Sequence, residues 1–119
     1  MTTLDEFFSG EEVSLVIYRN LFTAIDVLGG VEVSVTKSQI AFRRRKAFAW
    51  AWIPAKYLSG KTAPLVLSVA LRRKDSSKRW KQVVEPKPGR FMHHLELFTS
   101  EEINDEVCAW LQESWDAAG

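Results

Sequence analysis

The chain has 119 residues, 46% hydrophobic and 26% charged, with a net charge of +1. This is the size of one domain, able to bury roughly two-thirds of its unfolded surface, and the composition is that of a soluble globular protein. The lone Cys108 excludes an internal disulfide. The opening MTTLDEFFSG carries acids where a secretory signal needs bases, and no apolar run approaches the roughly 20 residues of a membrane span, so a cytoplasmic protein with no membrane contact is expected.

After a turn-like LDEFFSG, the run EEVSLVIYRNLFTAIDVLGG reads as a helix. Val13, Ile17, Leu21, Ala24 and Leu28 form its apolar stripe, with Leu15, Phe22 and Ile25 alongside. Glu11 and Glu12 suit its positive end, and Gly29-Gly30 stops it. VEVSVTK alternates as a half-buried strand, and QIAFR and AFAWAWI form a hairpin about Arg44–Lys46. PAKYLSGKTAP is a connection with room for one helical turn. LVLSVALRR is a strand, KDSSKRWK a polar loop, QVVE a short strand, PKPGR a tight turn and FMHHLELF the last strand. Thr99-x-x-Glu102 has the form of a capping box ahead of a helix whose apolar positions are Ile103, Val107, Trp110, Leu111 and Trp115. The order predicts a single α+β domain, residues 1–119: an antiparallel sheet of five to six strands packed by N- and C-terminal helices.

In AFAWAW the bulky face is Phe48, Trp50 and Trp52 and the small face Ala49 and Ala51; in the next strand the bulky face is Leu65, Leu67, Val69 and Leu71. If the bulky faces form the core, the other side of the sheet is a shallow floor of small residues. Alternatively, the small residues let a helix approach closely.

Charge is segregated along the chain. Lys37 to Arg90 holds fifteen bases and two acids; the flanks hold thirteen acids and one base. The basic middle therefore meets an anion, or acidic helices of the same or another molecule. Its ligand-binding candidates are Lys37, Arg43, Arg44, Arg45, Lys46, Arg72, Arg73, Lys78, Arg79 and Lys81, with Trp80 among them to stack a base.

His93 and His94 are neighbours on a strand and point to opposite faces, so they cannot clamp one metal ion; no metal spacing and no cofactor motif is present. His93 falls on the bulkier face as a hydrogen-bonded core imidazole. His94 shares a face with Glu96, a pairing that general-base chemistry exploits, and these two are the weak catalytic candidates. SGKT at 59–62 lacks the glycine of a phosphate loop, since Ala55 stands there, and precedes a strand rather than a helix. Cys108 reads as a small semi-buried hydrophobe.

The segments Lys37-Ser-Gln-Ile-Ala-Phe-Arg43, Phe48-Ala-Trp-Ala-Trp52, Glu85-Pro-Lys-Pro-Gly-Arg90 and His93-His-Leu-Glu-Leu97, with the closing Trp110-Leu111 helix, resemble an uncharacterised bacterial family. The family is a small cytosolic domain of unknown function, also found joined to nuclease-like and predicted transport proteins. The resemblance covers roughly residues 5–117. It implies no catalytic residue; it places Lys37, Arg43, Arg90, His93, His94 and Glu96 in recurring motifs.

Three readings follow. The first is a non-catalytic binding module whose basic sheet-and-loop surface, with Arg90 and His94, takes an anionic ligand, either nucleic acid or an acidic protein surface. The second is a small enzyme using His94, Glu96 and an arginine such as Arg43. The third is self-association through opposite charges, with monomer and homodimer both open.

Overall fold

The computed structural model describes residues 2–119. One short N-terminal helical turn, α1 (Leu4–Phe7), and the longer helix α2 (Glu12–Asp26) precede six strands: β1 (Glu32–Val35), β2 (Ile40–Arg43), β3 (Ala47–Trp52), β4 (Leu65–Leu71), β5 (Gln82–Lys87) and β6 (Arg90–Leu97). Helix α3 (Asp105–Ala117) closes the chain. The strands form one antiparallel sheet in the order β1-β2-β3-β4-β6-β5, so the β5–β6 hairpin folds back to put β6 against β4. This is the α+β architecture the sequence predicts, with the sheet at its six-strand limit.

Both long helices pack on one face of the sheet. Ile17, Tyr18, Leu21 and Ile25 of α2 and Val107, Trp110 and Leu111 of α3 meet Leu65, Leu67, Val69 and Leu71 of β4 and Leu95 and Leu97 of β6. The buried side of α2 is rotated from the expected stripe. Val13 is 62% exposed, while Ser14 and Tyr18 are buried. Ser14 donates to the Pro64 carbonyl at 2.6 Å, and Tyr18 stacks on Phe42.

LDEFFSG is a capped helical turn. Thr3 and Glu6 satisfy each other's backbone N–H groups at 3.1 Å, and Phe7 and Phe8 turn into the core. At the other end, Glu102 reaches back to the Thr99 N–H at 2.9 Å, but only a 3₁₀ turn, Ser100–Glu102, follows. Helix α3 starts afterwards on Asn104, whose side chain accepts from the Val107 N–H.

The third strand carries the feature that sequence parity misses. Phe42 pairs with Ala49 and Arg43 with Ala47, leaving Phe48 as an extra residue in a β-bulge. The bulge turns Phe48 and Ala49 both inward, and both are fully buried. Ala51 follows inward, and Trp50 and Trp52 are thrown onto the opposite, helix-free face. The bulky-face core expected for β3 is thus corrected: the two alanines sit beneath the helices, where a larger side chain would hold α3 off the sheet.

The bulge also ends the β3–β4 ladder, which runs from Trp52↔Val66 to Ala49↔Val69. The Phe48 and Ala70 carbonyls beyond it are both reached by the Ser114 hydroxyl of α3, at 2.8 and 2.6 Å. One proton shared between two buried acceptors makes Ser114 the stitch between helix and sheet.

Ser114→Ala is therefore expected to lower unfolding free energy by about 1–3 kcal/mol, the cost of stranding buried acceptors. A urea midpoint within error of the parent would remove that role. Tyr18→Phe should behave oppositely. The Tyr18 hydroxyl is buried without a partner, so its loss is expected to leave the urea midpoint unchanged or higher; a clear drop would reveal a bond the packing hides.

Candidate ligand-binding site

The helix-free face of the sheet is floored by aromatic side chains. Trp50 and Trp52 of β3, Ser68 of β4 and Met92 and His94 of β6 lie side by side, because Trp50 pairs with Ser68 and Ser68 with His94. Tyr57, from the turn after β3, joins them to enclose a hollow of about 420 Å³. The Tyr57 hydroxyl donates to the Ser38 carbonyl at 3.0 Å, tying that turn to the β1–β2 connection. The floor is held by a polar chain: the Trp52 indole N–H donates to Ser68 Oγ at 3.0 Å, and Ser68 Oγ lies 2.7 Å from His94 Nδ1. An indole nitrogen can only donate, so Ser68 accepts there and its own proton is available to His94. Burial, then the neighbouring His93, pushes the His94 imidazole below its ordinary range. A neutral ring edge-on to Trp52 extends the aromatic surface.

One end of this face opens into a cleft of about 260 Å³ between the diverging ends of β3 and β4. Lys46, Arg72, Lys87 and Arg90 line it, with Phe48, Leu71 and the α3 residues Ser114, Ala117 and Ala118 as its apolar and small-residue walls. No carboxylate lines the cleft, and among the described residues none lies within ion-pair reach of these four cations. Arg90 belongs to both regions: its guanidinium carbon lies 5.9 Å from the Trp50 ring centroid.

Much of the basic middle is engaged inside the molecule. Arg73 bonds Asp75 at 2.7 Å and forks onto Glu113 at 2.9 Å through two nitrogens. Arg79 reaches Glu106, Asn104 and the Glu102 carbonyl, and Lys81 pairs with Glu96 at 3.1 Å. Helix α3 has no basic residue in its last turn, and the sheet supplies what its negative end lacks. Arg44 donates to the Trp115 carbonyl and lies 3.6 Å over its ring, Arg72 donates to the Ala117 carbonyl, and the Arg45 backbone N–H donates to the Ala118 carbonyl. The RRRK tip is thus in part a clamp on the end of a helix. Lys37, Arg43 and Lys78 are exposed and stand outside both the hollow and the cleft.

Trp80 does not face a ligand surface. It is 8% exposed, 4.1 Å from Trp110 and 4.8 Å from His93 between ring centroids, and its N–H donates to Asp75 at 2.9 Å. His93 is the core imidazole expected: its Nε2 accepts from the Asp75 N–H at 3.0 Å and its Nδ1 lies 3.1 Å from the Phe91 carbonyl. The His94–Glu96 pair is not formed, since Ser68 holds the imidazole and Lys81 the carboxylate. Residues that parity placed in the core, Trp50 and Trp52, become the floor, where Ser68 and Met92 join them, and Lys87 joins the cleft. The signal was the pair of alanines, Ala49 and Ala51, alternating with the tryptophans, since alanine fits beneath a helix better than an indole does. Among the described residues no group of three His, Cys, Asp or Glu is placed to hold a metal ion, and no helix is long and apolar enough to cross a membrane.

The molecule is thus a small α+β domain that covers one sheet face with its helices and leaves the other as an aromatic floor beside a cationic cleft. The chain belongs to the family of the domain of unknown function DUF5655, whose sequence model matches residues 4–118. No curated protein and no solved structure matches it.

The buried histidines and Asp75 make stability depend on pH. Burial pushes His93 below its ordinary range despite the Phe91 carbonyl and Asp75, and His94 moves the same way. The unfolded chain therefore takes up protons first as pH falls through 6.5, so stability is lost from there downward. Burial opposes the Asp75 charge, but bonds from Trp80, the Ser77 N–H and Arg73 outweigh it and hold the carboxyl at about 2. That adds a second loss as pH drops below 3.8. The urea midpoint is expected to be lower at pH 5.5 than at pH 7.5, and His94→Asn should reduce the difference; equal midpoints for the parent would contradict it.

Proposed function

We propose that this domain is a non-catalytic binding module for single-stranded nucleic acid, taken on the helix-free face of the sheet. The observation that carries the reading is Arg90, which joins the Trp50–Trp52–His94 floor to the cationic cleft. Bases have π-faces that stack on indole and imidazole rings whatever their sequence, and phosphates seek unpaired cations. The floor offers the first, and Lys46, Arg72, Lys87 and Arg90 the second. A duplex hides its bases and would lose the stacking. An acidic protein surface would use the cations but leave the tryptophans without a role. The catalytic alternative is weakened because His94 and Glu96, though lining one hollow, are held by Ser68 and Lys81 rather than by each other, and Arg43 does not line that hollow.

The test is fluorescence anisotropy with a labelled single-stranded oligonucleotide of about ten nucleotides over a salt series. Affinity is expected to fall as salt rises, because each phosphate neutralised by these cations releases counterions. Trp50→Ala is expected to weaken binding by about tenfold, within the range found for one stacked base, while a duplex of the same sequence binds less well. Absence of binding at low salt, or an unchanged affinity on losing Trp50, would falsify the reading.

A further inference from the structure

Resting on that reading, we infer that the cleft between β3 and β4 is an end site: it receives a terminal phosphate, a phosphomonoester, of the nucleic acid lying on the aromatic floor. A phosphodiester chain continues on both sides of each phosphate, whereas a terminal monoester leaves three outer oxygens for the donors around it. This cleft gathers its cations from three separate segments of the chain. Lys46 and Phe48 of the diverging β3 form one wall, Arg72 of β4 another, the β5–β6 turn at Lys87 and Arg90 a third, and Ser114 and Ala117 of α3 close the back. Arg90 links the cleft to the tryptophans, its guanidinium lying over Trp50.

Charge points the same way. A diester carries one negative charge, whereas a monoester carries about −1.5 to −2 at pH 7 and presents three acceptor oxygens. Four cations without a carboxylate among them suit the dianion. Arg72 bonds the Ala117 carbonyl through Nη2 alone, so its other donors remain for an oxygen in the cleft, and its position is set by that bond before any ligand arrives. The nearest acid on the turn, Glu85, is held by the Gly89 N–H at 3.0 Å and does not line the cleft.

The experiment compares three oligonucleotides of one sequence: 5′-phosphorylated, 3′-phosphorylated and hydroxyl-ended at both termini. One phosphorylated end, or both, is expected to bind at least tenfold tighter than the hydroxyl-ended form, and the two arms tell which end is read. The double variant Lys46→Ala/Lys87→Ala should bind all three oligonucleotides more weakly than the parent and should bind phosphorylated and hydroxyl-ended forms alike; both lysines are exposed and make no side-chain bond among the described residues, so folding is expected to survive. Trp50→Ala should weaken all three oligonucleotides alike. Equal affinity for phosphorylated and hydroxyl-ended forms overturns the end site and leaves the stacking surface standing. Failure of every oligonucleotide overturns both, and uptake of a phosphopeptide in their place assigns the cleft to a protein partner.

Discussion

One extra residue in β3 and one hydroxyl in α3 determine how this domain is arranged. The β3–β4 ladder stops at Ala49↔Val69, next to the bulge at Phe48, and that ending is tolerable because Ser114 arrives from the helix to occupy the two carbonyls beyond it. Buried backbone acceptors without partners are costly, so bulge and hydroxyl depend on each other. From them follow the inward turn of Phe48, the two alanines under the helices, the outward tryptophans and the diverging strand ends that make the cleft. The helix-covered side and the open aromatic side of the sheet are consequences of a single local irregularity.

The same helix organises the charges. Exposed ion pairs contribute little stability individually, and those of Arg73 and Arg79 are best understood as fastening the basic β4–β5 loop to acidic α3. Asp75 lies beneath them, mostly shielded, accepting from Arg73, Ser77 and Trp80 while its own N–H goes to His93. Part of the opposite charge of the middle and the ends of the chain is thus met within one molecule. Among the described residues, Lys46, Arg72, Lys87 and Arg90 gather where β3 and β4 separate and have no acidic partner.

The sequence made most of the architecture legible because hydrophobic period and turn chemistry are local properties. Alternation in β4 and β6, the glycine stop after α2 and the turn at Pro88-Gly89 all correspond to elements in the fold. The parity of His93 likewise placed it correctly in the core. What was not legible depended on distant partners. A bulge inverts the faces of everything after it, and no residue type at positions 47–49 announces one. Arg73 and Arg79 look the same in sequence as Arg90, yet the first two meet Glu113 and Glu106 of α3 while the third does not. Trp80 sits in a polar loop, but Asp75 and Trp110 draw it inward. The alternative of a close-approaching helix over small residues was available from Ala49 and Ala51, and it is the one the fold uses.

The C-terminal clamp also bears on how the chain reaches this state. Segment 105–117 carries acids at its start but nothing positive at its end, and at thirteen residues it is near the length at which an isolated helix is marginal in water. Its missing complement, Arg44 and Arg72, lies some 70 and 45 positions earlier in the chain. Such a helix persists only once the sheet has assembled against it. Ordering of the last turn is thus tied to sequence-distant contacts, the kind whose formation slows folding.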